Sequence, residues 1–212
     1  MQSGQHIISL SLGTVAEPSA VAVVDPRTEF LKRDRENFFD VTHLERFPAG
    51  RPIPVIVARV EEIMSDKRLA KNCHLLLDIT STGEAPVRVF ESRGLNPKLF
   101  DLTNAGLAER SGGVSRVPVR DVIGVAQIVQ QTNRLQVAKD LELAPTLVVD
   151  LQSYDFKLAA RGSDLRGGRN SDLVLALSVA LWWADDLTWG ESPTDRTPPV
   201  NYGTGPGAWM GH

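Results

Sequence analysis

Three acidic residues stand where side chains could share a cation. Glu17 lies in a turn, Asp78 closes an apolar run, and Asp172 opens an almost wholly apolar segment. Carboxylates brought together from separate elements hold hard divalent ions such as Mg or Mn through oxygen. Clusters of that kind cut nucleic acids by activating water and holding a phosphate. Each acid also has a plainer reading. Asp172 alone suits a helix cap, Asp78 a strand-end turn, and Glu17, just before Pro18, a solvated turn. The chemistry depends on whether the fold gathers them.

The elements that must position them can be read from pattern. Behind Asp172, the run from Leu173 to Trp183 is interrupted only by Ser178. A helix apolar on every face belongs in an interior, so its first acid sits at the rim of a core. Residues 73–79, CHLLLDI, form a near-continuous apolar run, the pattern of a central strand covered on both faces. Asp78 lies at the carboxyl end of that strand, where ligands of open α/β sheets collect. Upstream, residues 6–12 and 19–25 predict a hairpin turning at Gly13, and residues 38–47 a third strand, with the charged stretch 27–37 as a loop or extension. Pro52 and Pro54 introduce a helix carrying Ile56, Val60, Ile63 and Met64 on one face.

Further along, residues 87–93 fit a short helix or a strand, 98–103 a strand, and the Gly-, Ser- and Arg-rich stretch 104–117 a loop. Pro118 opens a helix over 119–132, 135–137 is a short extended piece, and 141–154 an interrupted helix. Residues 161–169 read as a basic glycine-rich loop feeding the last helix. The expected organisation is one domain over 1–188 and a Gly/Pro-rich tail over 189–212, where Trp209 is a candidate anchor for a partner.

Composition narrows the function classes. With 212 residues and 42% apolar content the chain can build a full core. A net charge of −3 gives no global basic field for a polyanion, so positive charge for DNA would have to be local. Cys73 is the one cysteine, which excludes a disulfide within the chain and a cysteine zinc site; it reads as a small buried hydrophobe in a strand. His6, His43, His74 and His212 show no ligand spacing. No leader-like N-terminus occurs and the longest apolar run is too short for a bilayer, so a soluble, intracellular protein without a membrane partner is expected.

The order of these motifs resembles the α/β ribonuclease H-like fold, a central mixed sheet of antiparallel hairpin strands and parallel strands flanked by helices. More specifically it is similar to the nuclease domain of the phage terminase large subunit. The likeness covers roughly residues 6–185. It rests on Ser11-Leu12-Gly13 followed by Glu17-Pro18-Ser19-Ala20-Val21, on Asp78-Ile79-Thr80 with Gly83, on Val117-Pro118 with Arg120, and on Asn170-Ser171-Asp172 with its apolar continuation.

That resemblance implies endonucleolytic cleavage of double-stranded DNA during phage genome packaging, in the cytoplasm of the host. It implies a two-metal Mg or Mn site with Asp78, Asp172 and Glu17 as catalytic ligands, Asp25 as a further neighbour, and partners such as a separate motor ATPase or portal-type protein. Arg120, Arg166 and Arg169, together with Arg110, Arg116 and Arg161, would contact phosphate. No G-x-x-x-x-G-K-[ST] phosphate loop occurs in the chain, so it would not drive packaging alone. One departure stands out. Ser11 occupies the first-strand position at which the family carries its bridging Asp, and Asn170 and Ser171 replace His and acidic positions. Two readings follow: a weakened nuclease with Glu17 as substitute ligand, or an inactive ribonuclease H-like module for DNA docking or assembly. Ser11-Leu12-Gly13-Thr14 also echoes the phosphate loop of sugar kinases and actin-like ATPases, but the chain is too short for their two halves. Holliday-junction resolvases share the carboxylate logic and form a minor alternative.

Overall fold

A computed structural model describes residues 5–31, 34–69, 72–104, 106–154 and 171–189. Eight strands form one mixed sheet. They are β1 (His6–Ser11), β2 (Ser19–Leu31), β3 (Asp34–Phe47), β4 (Cys73–Asp78), β5 (Lys98–Thr103), β6 (Glu109–Ser111), β7 (Val114–Pro118) and β8 (Leu135–Val137), in the order β6-β7-β5-β4-β1-β2-β3-β8. β1, β2 and β3 are antiparallel neighbours, while β4, β5 and β7 run parallel to β1 on its other side. This is the mixed ribonuclease H-like sheet expected from the sequence.

Alternation along the strands divides the core in two. Ile8, Leu10, Val21 and Val23 face one layer, built with α1 (Ile53–Met64) and α2 (Val87–Ser92). Ile7, Ala20, Ala22 and Val24 face the other, built with α3 (Val119–Gln131), α4 (Ala144–Ser153) and α5 (Asp172–Trp189). Helix α5 is apolar all round because it is enclosed: Leu173, Val174, Leu177, Val179, Ala180, Leu181 and Ala184 have no exposed surface. Beneath it the sheet presents small side chains, Ser9 and Ser11 on β1 and Ala20 and Ala22 on β2, all buried. Small residues there let the helix lie close to the strands.

Two expectations are corrected. The charged stretch read as a loop or extension is strand: β2 and β3 stay paired out to Leu31 and Asp34, past a register shift at Val23/Val24, and cross-strand contacts such as Arg27 with Asp40 and Thr28 with Asn37 carry it. The stretch 104–117, also read as a loop, contains the β6–β7 hairpin, whose two-residue turn places Gly112 at φ 60° and Gly113 at φ 86°. Positive φ at both central turn residues is the geometry glycine alone adopts freely. Residues 87–92 are helix rather than strand, and the helix expected over 141–154 starts at Ala144. Cys73 is half-buried in β4. The basic loop 161–169 and the tail after residue 189 lie outside the described residues. Among the described residues no helix is long and apolar enough to cross a membrane.

Candidate functional site

Hydrogen-bonded register sets four residues in one row across the sheet. Asp78 on β4 pairs with Ser11 on β1, Ser11 with Ala20 on β2, and Ala20 with Arg46 on β3. Partners in register point to the same face. That face is the α5 side, because Leu76, Ile7, Ala22 and Leu44, two or four residues away on the same strands, belong to the α5 core. The row runs along the carboxyl ends of β1 and β4, and it spans three strand spacings, about 14 Å.

At one end, Asp78 is 1% exposed and held by nearby neutral donors. Its Oδ2 accepts from the Ser11 hydroxyl at 2.9 Å, and its Oδ1 from the Thr80 amide at 3.0 Å and the Thr80 hydroxyl at 2.5 Å. Thr80 is fixed in turn by the Leu102 amide, which donates to its hydroxyl at 2.8 Å. Ser11 is positioned by the turn that follows β1. Gly13 there lies against the backbone of Glu17 and Pro18, so closely that a Cβ would sit 2.2 Å from both carbonyl oxygens, and its amide donates to Ser19 Oγ at 2.9 Å.

At the other end, Asp172 opens α5 and is 1% exposed. Its Oδ2 accepts from Arg46 Nε at 2.7 Å, while Arg46 Nη2 donates to Asp150 Oδ2 on α4 at 2.5 Å. Arg46 therefore joins β3, α4 and α5. Burial alone would lower its pKa, but the hydrogen bonds to Asp172 and Asp150, with their charges, outweigh burial and hold it above the ordinary arginine value. The second oxygen of Asp172, Oδ1, is buried and accepts no hydrogen bond from the described residues.

The structure thus brings Ser11 and Asp78 into direct contact and puts Asp172 at the far end of the same row. Glu17 stays in its own turn, half-buried, accepting from Thr14 Oγ1 at 3.5 Å. Asp25 lies at the opposite end of β1, paired with His6 Nδ1 at 2.6 Å. Among the described residues no three His, Cys, Asp or Glu side chains converge as a metal group. Arg120 sits at the start of α3, donating to the Gly106 carbonyl at 3.0 Å and lying 3.4 Å from Asp121. Arg116 lies 3.7 Å from both Asp101 and Glu109. Arg166 and Arg169 are outside the described residues.

Arg46 and Asp150 were not visible as site residues in the sequence reading. A signal existed: Arg46 shares a strand face with Leu44, and Asp150 shares a helix face with Leu147, both of them core. A basic and an acidic residue, each on an apolar face, mark a pair that the fold must bring together.

The fold is that of a ribonuclease H-like domain. The particular likeness is to terminase large-subunit nuclease domains. The large terminase nuclease of thermophilic phage G20c superimposes with a TM-score of 0.54 at 18% identity, covering 84% of this chain and 81% of that one. The same nuclease with bound magnesium gives 0.54 at 17%, covering 85% and 82%. The human cytomegalovirus terminase nuclease domain, manganese-soaked, gives 0.52 at 14%, covering 89% and 87%. No family model and no curated protein matches the chain. At these identities the likeness establishes the fold.

The donor set can be tested against a two-metal centre of the kind that fold suggests. A bridging ligand should be an anionic oxygen shared by both ions. Ser11 offers a neutral hydroxyl whose proton is already given to Asp78, and one oxygen of Asp172 is taken by a guanidinium. Among the described residues the donor set does not fit a two-metal centre.

Proposed function

We propose that this chain is a terminase-type, ribonuclease H-like module that docks on double-stranded DNA or on a packaging assembly without cutting it. The observation that carries this reading is the row itself, Asp78–Ser11–Ala20–Arg46 with Asp172: hydroxyl and guanidinium stand where a bridging carboxylate and its metals would be needed. Three carboxylates against one guanidinium leave the row net negative, so phosphate would be met by arginines flanking it. Arg120 is half-exposed and supports that role; Arg166 and Arg169 are its sequence neighbours in function. A motor ATPase or a portal-type protein is the kind of partner this reading calls for.

One observation favours a second reading, a residual Mg- or Mn-dependent endonuclease. Asp78 and Asp172 are both buried acids on the same face, and Oδ1 of Asp172 meets no donor among the described residues. Binding of a labelled duplex by fluorescence anisotropy, over a salt series with either EDTA or manganese, separates the two. The docking reading expects affinity that falls with salt, is weakened by Arg120→Ala, and is the same in EDTA and manganese. Affinity that appears only with manganese supports the metal-dependent reading instead.

A further inference from the structure

We infer that Arg46 is a built-in cation that does at Asp172 the structural work a divalent ion would otherwise do. This inference rests on the non-cutting reading of the same row. A carboxylate 1% exposed at the first turn of a buried helix needs a positive partner, since burying it alone is costly. Arg46 supplies that partner from the neighbouring strand in a fixed fork, Nε to Asp172 and Nη2 to Asp150. A guanidinium is always charged and presents several donors in one plane, so it can bind two carboxylates from two helices at once. A lysine, with a single ammonium on a flexible stem, would not hold both in that geometry.

Three further facts point the same way. Arg46 lies in register with Ala20, whose methyl leaves the guanidinium room to cross toward α5. The other acid in the fork, Asp150, projects from the buried face of α4 beside Leu147 and Leu151, where an acid has no use without a cation. Arg46 itself is 23% exposed, so its charge is partly shielded from solvent. The start of α5 is thereby tied to β3 and α4 by protein atoms, and a divalent ion joining Asp172 Oδ2 to Asp150 would have to displace the guanidinium first.

Thermal unfolding in EDTA and in manganese tests this on the whole chain. The natural protein is expected to unfold at the same temperature in both. Arg46→Met is expected to unfold earlier in EDTA and to recover by about 5 °C or more in manganese, as ion binding to the freed carboxylates stabilises the folded state. Arg46→Lys should fall between, with a smaller metal response. If Arg46→Met does not fold, Arg46→Met combined with Asp150→Asn and Asp172→Asn removes the stranded charges; it is expected to fold and to ignore manganese. A natural protein stabilised by manganese, with the effect lost in Asp172→Asn, overturns the inference. So does an Arg46→Met protein that folds and shows no metal response. DNA cleavage is read separately: a natural protein that binds manganese at Asp172 yet cuts nothing sinks this inference and leaves the docking reading standing.

Discussion

The two faces of the sheet solve the same packing problem with different chemistry. Toward α1 and α2 the buried residues are mainly apolar, Ile8, Leu10, Val21, Val23, Ile56, Val60, Phe90 and their neighbours, with the hydroxyl of Ser19 satisfied by the Gly13 amide. Toward α5 the layer is equally apolar along most of its length, but its edge carries Ser11, Asp78, Asp150, Asp172 and the half-covered Arg46. Polar groups of that kind lower stability unless each finds a partner. They are concentrated at the carboxyl ends of β1 and β4, where folds of this type place ligand chemistry. The difference is why the α5 face is the one proposed to carry function.

Breaking the charged fork should have the largest effect. Arg46→Met leaves Asp150 and Asp172 buried without their cation and is expected to cost about 3–5 kcal/mol, measured by urea unfolding. A cost below about 1 kcal/mol would mean the fork is incidental. Next, Leu177→Ala on the α5 face and Leu10→Ala on the opposite face should each cost about 2–5 kcal/mol, since both side chains have no exposed surface. Similar values would confirm that the faces differ in their polar edge and not in their apolar packing. Ser11→Ala removes one donor from buried Asp78 and should cost about 1–3 kcal/mol. A larger loss would show that the serine does more than satisfy the acid.

The smallest effect concerns Cys73, at the far end of β4. Burial raises its thiol from the ordinary 9.0 to about 11, so the folded state favours the protonated form. Its stabilising effect is complete below pH 9 and fades as pH rises from 9 toward 11. At pH 8 a thiol reagent should therefore react roughly a hundredfold more slowly than with an ordinary cysteine, because the thiolate is scarcer. A rate equal to that of the unfolded chain would contradict the burial.

How legible all this is from sequence depends on the range of the interaction. The order of elements along the chain, the central strand ending at Asp78 and the enclosed helix after Asp172 follow from local pattern. Apolar runs and turn residues act over a few positions. The β2–β3 extension was hidden because its charged residues are satisfied across the hairpin, as Arg27 is by Asp40, and a linear reading sees only polarity. The β6–β7 turn carried its signal in Gly112-Gly113, and that signal was passed over. Arg46 and Asp150 show only their apolar-face placement in the sequence, and their pairing is hidden for a deeper reason. Arg46 lies 126 residues from Asp172 and 104 from Asp150 along the chain, and only the fold joins them.

The claim at the centre of this account is that the row holds a hydroxyl and a guanidinium in place of a working metal centre. Plasmid nicking in manganese, run beside Asp78→Ala and Asp172→Ala, tests it most directly. The account predicts that the natural protein leaves supercoiled DNA intact, indistinguishable from both variants. Nicking by the natural protein that disappears in both variants would contradict it, and would make Asp78 and Asp172 ligands of an active nuclease despite Ser11.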